Sequence, residues 1–140
     1  MRRRLAALDV GDKRIGVAVS DALRLTAQPL GTVERRSMAA DCAAIQRMLE
    51  PYDVEKIIAG LPLNPRGTEG EQADRVRHFC KRFVVETGRE LVFQDERLTS
   101  AEGERMLLET GMRRNRRREV RDRVAAALIL QAWLDSQPRP

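Results

Sequence analysis

Residues 5–20 constrain the fold more than any other part of the sequence. Two apolar runs, residues 5–9 and 15–20, flank a short segment beginning at Gly11, which predicts two strands joined by a tight turn. Asp9 ends the first of these strands. A carboxylate at the tip of an apolar strand is costly unless a metal, a cation or hydrogen-bond donors lie beside it. Asp9 therefore either caps the turn or binds a metal at the edge of a sheet.

The length and composition predict one soluble domain. With 140 residues, of which 42% are hydrophobic and 34% charged, we expect residues 1–140 to form a single cytoplasmic domain. No apolar run approaches the roughly 20 residues that a membrane span requires, so no membrane partner is expected. Cys42 and Cys80 fall on apolar faces of predicted helices and are expected to be core thiols. Because His78 is the only histidine, a zinc site is not expected.

The placement of the arginines indicates a polyanionic partner. The net charge is +5, from 26 basic and 21 acidic residues. Residues 113–123 contain seven arginines but only two acids, Glu119 and Asp122, and residues 2–4 form a second arginine cluster. Such runs are commonly solvated surface, but the guanidinium fork suits phosphate oxygens. A nucleic acid is therefore the predicted partner.

The rest of the chain alternates between strand and helix patterns. After the hairpin, we expect a strand near residues 30–33 that follows Pro29, a helix over 38–49 with Ser37 as its N-cap, and a buried strand over 56–60. A helix then follows a Thr68–Glu71 capping box and ends at Gly88, and a strand covers 91–94. The last two elements are a helix from a Thr99–Glu102 capping box to about 110 and a helix over 119–135. This order predicts an α/β fold with one mixed five-stranded sheet, an antiparallel meander plus parallel strands, and helices on both faces. That is the arrangement of the ribonuclease H-like fold.

Three acids from separate elements are candidates for one site. Asp95 and Glu96 end the last strand, where open α/β sheets place their sites. Asp122 starts a helical stripe that continues with apolar residues, so it is expected to face inward unless it only pairs with Arg118. We take Asp9, Glu96 and Asp122 as the catalytic and metal-binding set, with Asp95 as the alternative to Glu96.

Clustered carboxylates repel one another, and a divalent cation relieves that repulsion. Oxygen ligands favour Mg²⁺ or Mn²⁺ over zinc. Two such ions can activate water and stabilise the leaving oxygen during phosphodiester hydrolysis. The constellation therefore predicts a nuclease, and the nearby arginines would hold the substrate backbone.

Four motifs, in order along nearly the whole chain, resemble the RuvX/YqgF family. They are Leu-Asp-Val-Gly at 8–11 with Arg-Ile-Gly-Val-Ala at 14–18, Gly-Leu-Pro-Leu-Asn at 60–64 with Gly-Thr-Glu-Gly at 67–70, Asp-Glu-Arg-Leu-Thr-Ser at 95–100, and the segment 125–131. These proteins are Holliday-junction-resolvase-like and are also described as "putative pre-16S rRNA nucleases".

The resemblance implies a ribonuclease H-like fold, divalent-metal nuclease chemistry and a cytoplasmic setting. It implies structured RNA, branched DNA or both as the substrate, and it places the family's acids on Asp9, Glu96 and Asp122. A homodimer is expected if a four-way junction is cut, because that substrate has two-fold symmetry.

Two further segments are candidates for nucleic-acid contact. Where the family resemblance implies a loop containing glycine and lysine, this chain carries Arg113, Arg114, Arg116, Arg117 and Arg118. The loop containing Asn64, Gly67 and Thr68 is expected to flank the site, where its backbone would approach phosphates, unless it is a plain connection.

Two other classes of protein fit part of the pattern. Asp9-x-Gly11 followed by Gly16 also occurs in the phosphate loops of actin-like ATPases and sugar kinases, but those proteins need two such domains and the chain has room for only one. A non-catalytic RNA-binding protein, such as a ribosome-assembly or transcription factor, would explain the arginines equally well. It would not explain an inward-facing acid on the last helix.

Overall fold

The fold is given by a computed structural model, which describes residues 3–96 and 114–138, with the backbone alone for 114–123. The elements, in chain order, are β1 (Arg4–Val10), β2 (Arg14–Ser20), β3 (Ala27–Glu34), α1 (Met38–Leu49), a 3-10 turn (Glu50–Tyr52), β4 (Val54–Leu61), α2 (Glu71–Thr87), β5 (Glu90–Asp95) and α3 (Arg114–Ser136). The helix expected to end near residue 110, with its Thr99–Glu102 capping box, lies outside the described residues.

The described strands form one mixed sheet in the order β3-β2-β1-β4-β5. The hairpin pairs β1 with β2, and β2 pairs with β3, both antiparallel. The crossovers through α1 and α2 place β4 parallel to β1 and β5 parallel to β4. The prediction of a mixed five-stranded sheet is confirmed.

Two apolar cores lie on opposite faces of this sheet. Along β1, Ala6, Leu8 and Val10 belong to a large core that α1 and α2 cover, whereas Leu5 and Ala7 belong to a smaller core that α3 covers. This alternation follows from the two-residue period of a strand. The central strands are therefore buried on both faces, as their continuous apolar runs indicate.

Several local predictions are confirmed. The Gly11 N–H donates to the Arg14 carbonyl at 3.0 Å and closes the β1–β2 turn. Ser37 is the N-cap of α1, since its side chain accepts a hydrogen bond from the Ala40 N–H. Cys42 and Cys80 are both buried and free, and burial raises the pKa of the Cys80 thiol to about 12.

Three predicted boundaries are wrong. β3 begins at Ala27, ahead of Pro29, because proline is tolerated on this edge strand. Helix α2 is capped by Gly70 and shows no side-chain cap bond, so the Thr68–Glu71 capping box does not form. Helix α3 begins at Arg114 instead of residue 119, because arginine is a good helix former and the run extends the helix.

None of the helices in the described part of the chain is long and apolar enough to span a membrane.

Candidate active site

Two of the three predicted acids lie at the same edge of the sheet. β1, β4 and β5 are mutually parallel neighbours, so their carboxyl ends meet at one edge. Asp9 is the next-to-last residue of β1, and Glu96 directly follows β5. The Glu96 N–H donates to the Leu61 carbonyl at the end of β4, with an N···O distance of 3.3 Å.

Asp9 and Glu96 also share a face of the sheet, the one covered by α3. Asp9 continues the alternation of Leu5 and Ala7, both of which pack in the α3 core. The Glu96 carboxylate lies beside Gly60 of β4, together with the side chain of Ile129 from α3. The site therefore lies between the sheet edge and the last helix.

Gly60 makes room for the Glu96 side chain. A Cβ atom at this position would overlap the Glu96 Oε2 atom and would lie 2.5 Å from Ile129 Cδ1. The sequence analysis did not assign Gly60 to the site. A signal was present, however, because a glycine inside an apolar strand often marks a place where another group approaches the strand backbone closely.

The surroundings of Glu96 disfavour its charged form. Burial first, and then the charges of Asp9 and Asp95, together raise its pKa to about 7. A carboxylate held against another in this way is stabilised in its charged form by an added cation. Carboxylate oxygens are the donors that Mg²⁺ and Mn²⁺ prefer, so the two acids fit such an ion.

The structure gives the position of the third acid, Asp122, by its backbone alone. Position 122 lies in α3, two helical turns before Ile129 and one before Ala126, and both of these side chains are buried against the sheet. The Asp122 side chain is outside the part described, so its metal-binding role stays a prediction. Among the side chains that are described, no three acids, histidines or cysteines gather around one point.

Asp95 differs from Glu96 in its surroundings. It is exposed, and the alternation of β5 places it with Leu91 and Phe93, which pack against the core under α1 and α2. Asp95 thus belongs to the opposite face of the sheet from Asp9. The choice of Glu96 over Asp95 as the ligand is consistent with this geometry and stays a prediction.

The loop after β4 is closed by its own hydrogen bonds. The Asn64 N–H donates to the Thr68 carbonyl and the Gly67 N–H donates to the Asn64 carbonyl, both at 2.8 Å. Asn64 Nδ2 also donates to Thr68 Oγ1 at 3.1 Å, so Thr68 belongs to the loop, two residues before the Gly70 cap of α2. The loop leaves β4 at the edge that carries the acids, and its contact with phosphates stays a prediction.

Four of the five predicted phosphate-binding arginines are in the described part of the chain. The fifth, Arg113, lies outside the described residues. Arg114, Arg116, Arg117 and Arg118 lie in the first turns of α3, ahead of Asp122 and Ile129. Their contacts with nucleic acid remain a prediction.

Residues 3–136 match the model of the family described as "RuvX: Holliday junction resolvase". The chain belongs to the RuvX family. Relatives named "putative pre-16S rRNA nuclease" are also similar to it. The protein from Moorella thermoacetica is 49% identical over 132 residues, which are 94% of each chain. The one from Myxococcus xanthus is 46% identical over 137 residues, covering 98% of this chain and 91% of the relative.

Two solved structures resemble this RuvX chain in fold. Thermus thermophilus RuvC in complex with a Holliday junction substrate aligns with a TM-score of 0.58 at 17% identity, over 96% of this chain and 98% of that one. The fowlpox virus Holliday junction resolvase aligns with a TM-score of 0.55 at 13% identity, over 96% and 99%. The likeness confirms the predicted ribonuclease H-like fold.

Proposed function

We propose that the chain is a divalent-metal-dependent endonuclease that hydrolyses phosphodiester bonds in structured nucleic acid in the cytoplasm. Its substrate is the 5′ region of precursor 16S rRNA, a branched DNA such as a Holliday junction, or both. Membership of the RuvX family supports the nuclease activity. The observation that carries the metal dependence is the placement of the Glu96 carboxylate beside Gly60, on the face and sheet edge of Asp9, where burial and then the Asp9 charge raise the pKa of Glu96.

The residues that would hold Mg²⁺ or Mn²⁺ are Asp9 and Glu96, with Asp122 as the third ligand. A bound divalent cation supplies positive charge where the phosphodiester gains negative charge, and it lowers the pKa of water. Gly60 keeps the Glu96 carboxylate on the same face as Asp9, because no side chain stands between β4 and that carboxylate. Ile129 closes the apolar side of the site, which reduces the competition of bulk water with the charged groups.

Two groups of residues would position the substrate. The arginines at the start of α3 would bind backbone phosphates, which fixes the position of the strand without reading its sequence. The loop containing Asn64, Gly67 and Thr68 would bring its backbone close to phosphates at the same edge, although the N–H groups of Asn64 and Gly67 are already used within the loop.

The test is cleavage of a four-way DNA junction and of precursor 16S rRNA, side by side, with and without Mn²⁺. We expect cleavage only with the metal, and we expect Asp9→Asn to abolish it. The variant should fold normally and be slightly more stable without metal, since removing the Asp9 charge relieves the repulsion on Glu96.

Asp12→Asn is the matched control. Asp12 is an exposed acid on the turn after β1 and pairs with Arg75 at 3.1 Å, so its loss changes the same charge outside the proposed metal set. Full activity of Asp9→Asn would overturn the catalytic assignment. Binding of both substrates without metal-dependent cleavage would favour the non-catalytic RNA-binding protein.

Each of the two candidate substrates predicts a different oligomeric state for the enzyme. A junction has two-fold symmetry and two cuts, so an enzyme that resolves it would act as a homodimer. Removing the end of a precursor RNA requires one site. Sedimentation with and without junction DNA tests this proposal.

A further inference from the structure

Asp41 is a buried charge that the proposed reaction does not use. Within the part of the chain whose side chains are described, it is the one charged residue that counts as buried, with its side chain only 3% exposed. It lies in the first turn of α1, on the face of the sheet opposite the candidate site. Burying a carboxylate is costly unless hydrogen-bond donors or a cation compensate for it. The partners of Asp41 therefore indicate which groups this carboxylate holds in place.

The partners of Asp41 are the two residues that follow β3. Asp41 Oδ1 accepts a hydrogen bond from the Arg36 N–H at 3.0 Å. Asp41 Oδ2 lies 3.6 Å from Nε of Arg35. The first contact ties the segment that enters α1 to the first turn of the helix, whereas the second fixes a guanidinium group.

That guanidinium group reaches the β1–β2 turn, at Gly11, two residues after Asp9. Arg35 Nη1 donates to the Gly11 carbonyl at 3.1 Å, and the Arg35 N–H donates to the Lys13 carbonyl at 2.9 Å. The guanidinium carbon lies 5.1 Å from the centre of the Phe79 ring on α2, which holds the group from the core side. Arg35 thus connects the β1–β2 turn to both helices of the opposite face.

We propose that Arg35, held by Asp41, is a positioning residue that fixes the β1–β2 turn and thereby sets the position of the Asp9 carboxylate. Gly11 is two residues after Asp9, so a shift of this turn moves the end of β1. The inference deepens the proposed function and rests on its metal site. Arg35 touches neither metal nor substrate in this scheme and acts only through the backbone.

The test is Mn²⁺ binding measured by calorimetry, together with the Mn²⁺ concentration that gives half-maximal cleavage. Loss of groups that orient a metal ligand typically costs 10–100-fold in affinity, and we expect about 10-fold for Arg35→Ala. Asp41→Asn keeps an acceptor for the Arg36 N–H but loses the ion pair, so its effect should be smaller. Arg35→Lys should restore part of the affinity lost in Arg35→Ala, because it keeps the charge.

Arg24→Ala is the matched control. Arg24 also pairs with a carboxylate, that of Glu55, and donates to a backbone carbonyl, that of Arg3 at 2.8 Å, but it lies at the opposite edge of the sheet. Its loss should leave Mn²⁺ affinity unchanged. If the role of Arg35 is purely structural, Arg35→Ala should lower the melting temperature, as we expect for Arg24→Ala, and should leave Mn²⁺ affinity unchanged.

The outcomes separate this inference from the metal site itself. If Asp9→Asn loses Mn²⁺ binding while the folded Arg35 and Asp41 variants bind as the wild type does, the positioning role is overturned. If the wild type binds Mn²⁺ no better than Asp9→Asn, both the site and the positioning role fall. Should Arg35→Ala fail to fold, Arg35→Lys and Asp41→Asn decide the matter at a temperature where both are folded.

Discussion

The carboxylate of Glu96 occupies the space that a side chain at Gly60 would fill. The absence of a Cβ atom on β4 lets the end of β5 turn its acid towards Asp9, beneath Ile129 of α3. The raised pKa of Glu96 follows from the same packing, because this position is half-buried and close to a second carboxylate.

Gly60→Ala should therefore damage both stability and metal binding. The added methyl group would overlap Glu96 Oε2 and Ile129 Cδ1, and overpacking of this kind costs about 1–3 kcal/mol of unfolding free energy. Urea denaturation measures the stability, and Mn²⁺ titration measures the displacement of Glu96.

The double variant Gly60→Ala with Ile129→Val separates the two effects. Valine lacks the Cδ1 atom, so stability should recover in part while Mn²⁺ binding stays weak. Wild-type Mn²⁺ affinity in either variant would show that Glu96 does not need the space at Gly60.

The stability of the metal-free protein should fall as the pH rises from about 4.5 to about 7. The folded protein retains the Glu96 proton over this interval, whereas the unfolded chain has released it, so the free energy of unfolding decreases with pH. At about 1.4 kcal/mol per pKa unit, the loss is at most about 3.5 kcal/mol.

Urea denaturation between pH 4 and 8 tests this dependence, with Glu96→Gln as the control. The variant has no proton to release and should lack this part of the pH dependence. Saturating Mg²⁺ should also reduce it, because the cation competes with the proton for the carboxylate. Identical pH profiles for the variant and the wild type would contradict the raised pKa.

Glu96→Gln and Asp95→Asn should differ sharply in cleavage. Glu96 lies on the face of Asp9, and Asp95 belongs to the opposite face and is exposed. We expect Glu96→Gln to lose activity and Asp95→Asn to keep most of it, measured as kcat with saturating Mn²⁺. The reverse order of activities would show that Asp95 is the ligand.

The sequence predicts the parts of the fold that depend on local apolar periodicity. The β1–β2 hairpin and the span of α1 follow from such patterns and from their turn and cap residues. The start of α3 was missed because a charge run resembles a loop by composition, although its arginines favour a helix. The Thr68–Glu71 capping box does not form because α2 begins only at Glu71, after Gly70, and Thr68 belongs to the loop.

Long-range contacts account for what sequence reasoning could not find at the site. Strand ends and the alternation of faces were enough to propose Asp9 and Glu96. The space at Gly60, however, depends on a packing contact between β4, β5 and α3. The contact from Arg35 to Gly11 joins residues 24 positions apart in the chain, and no short motif encodes it.

Replacing Arg114, Arg116 and Arg117 by alanine should weaken nucleic-acid binding similarly for all substrates. These positions lie in the first turns of α3, where alanine is an even better helix former than arginine, so the helix should persist. Each phosphate contact with a duplex contributes about 0.9 to the slope of log affinity against log salt, so the slope should flatten by roughly 2–3. Salt-dependent binding of junction DNA and of structured RNA measures this change.

The control variant replaces Arg47 and Arg82, two exposed arginines on α1 and α2, by alanine. It removes positive charge from the opposite face of the sheet, so its salt slope should remain that of the wild type. If the α3 triple variant also keeps the wild-type slope, its arginines are solvated surface and do not bind the substrate. If both variants flatten the slope in proportion to the charges that they remove, three and two respectively, binding follows total charge, and α3 has no special role in it.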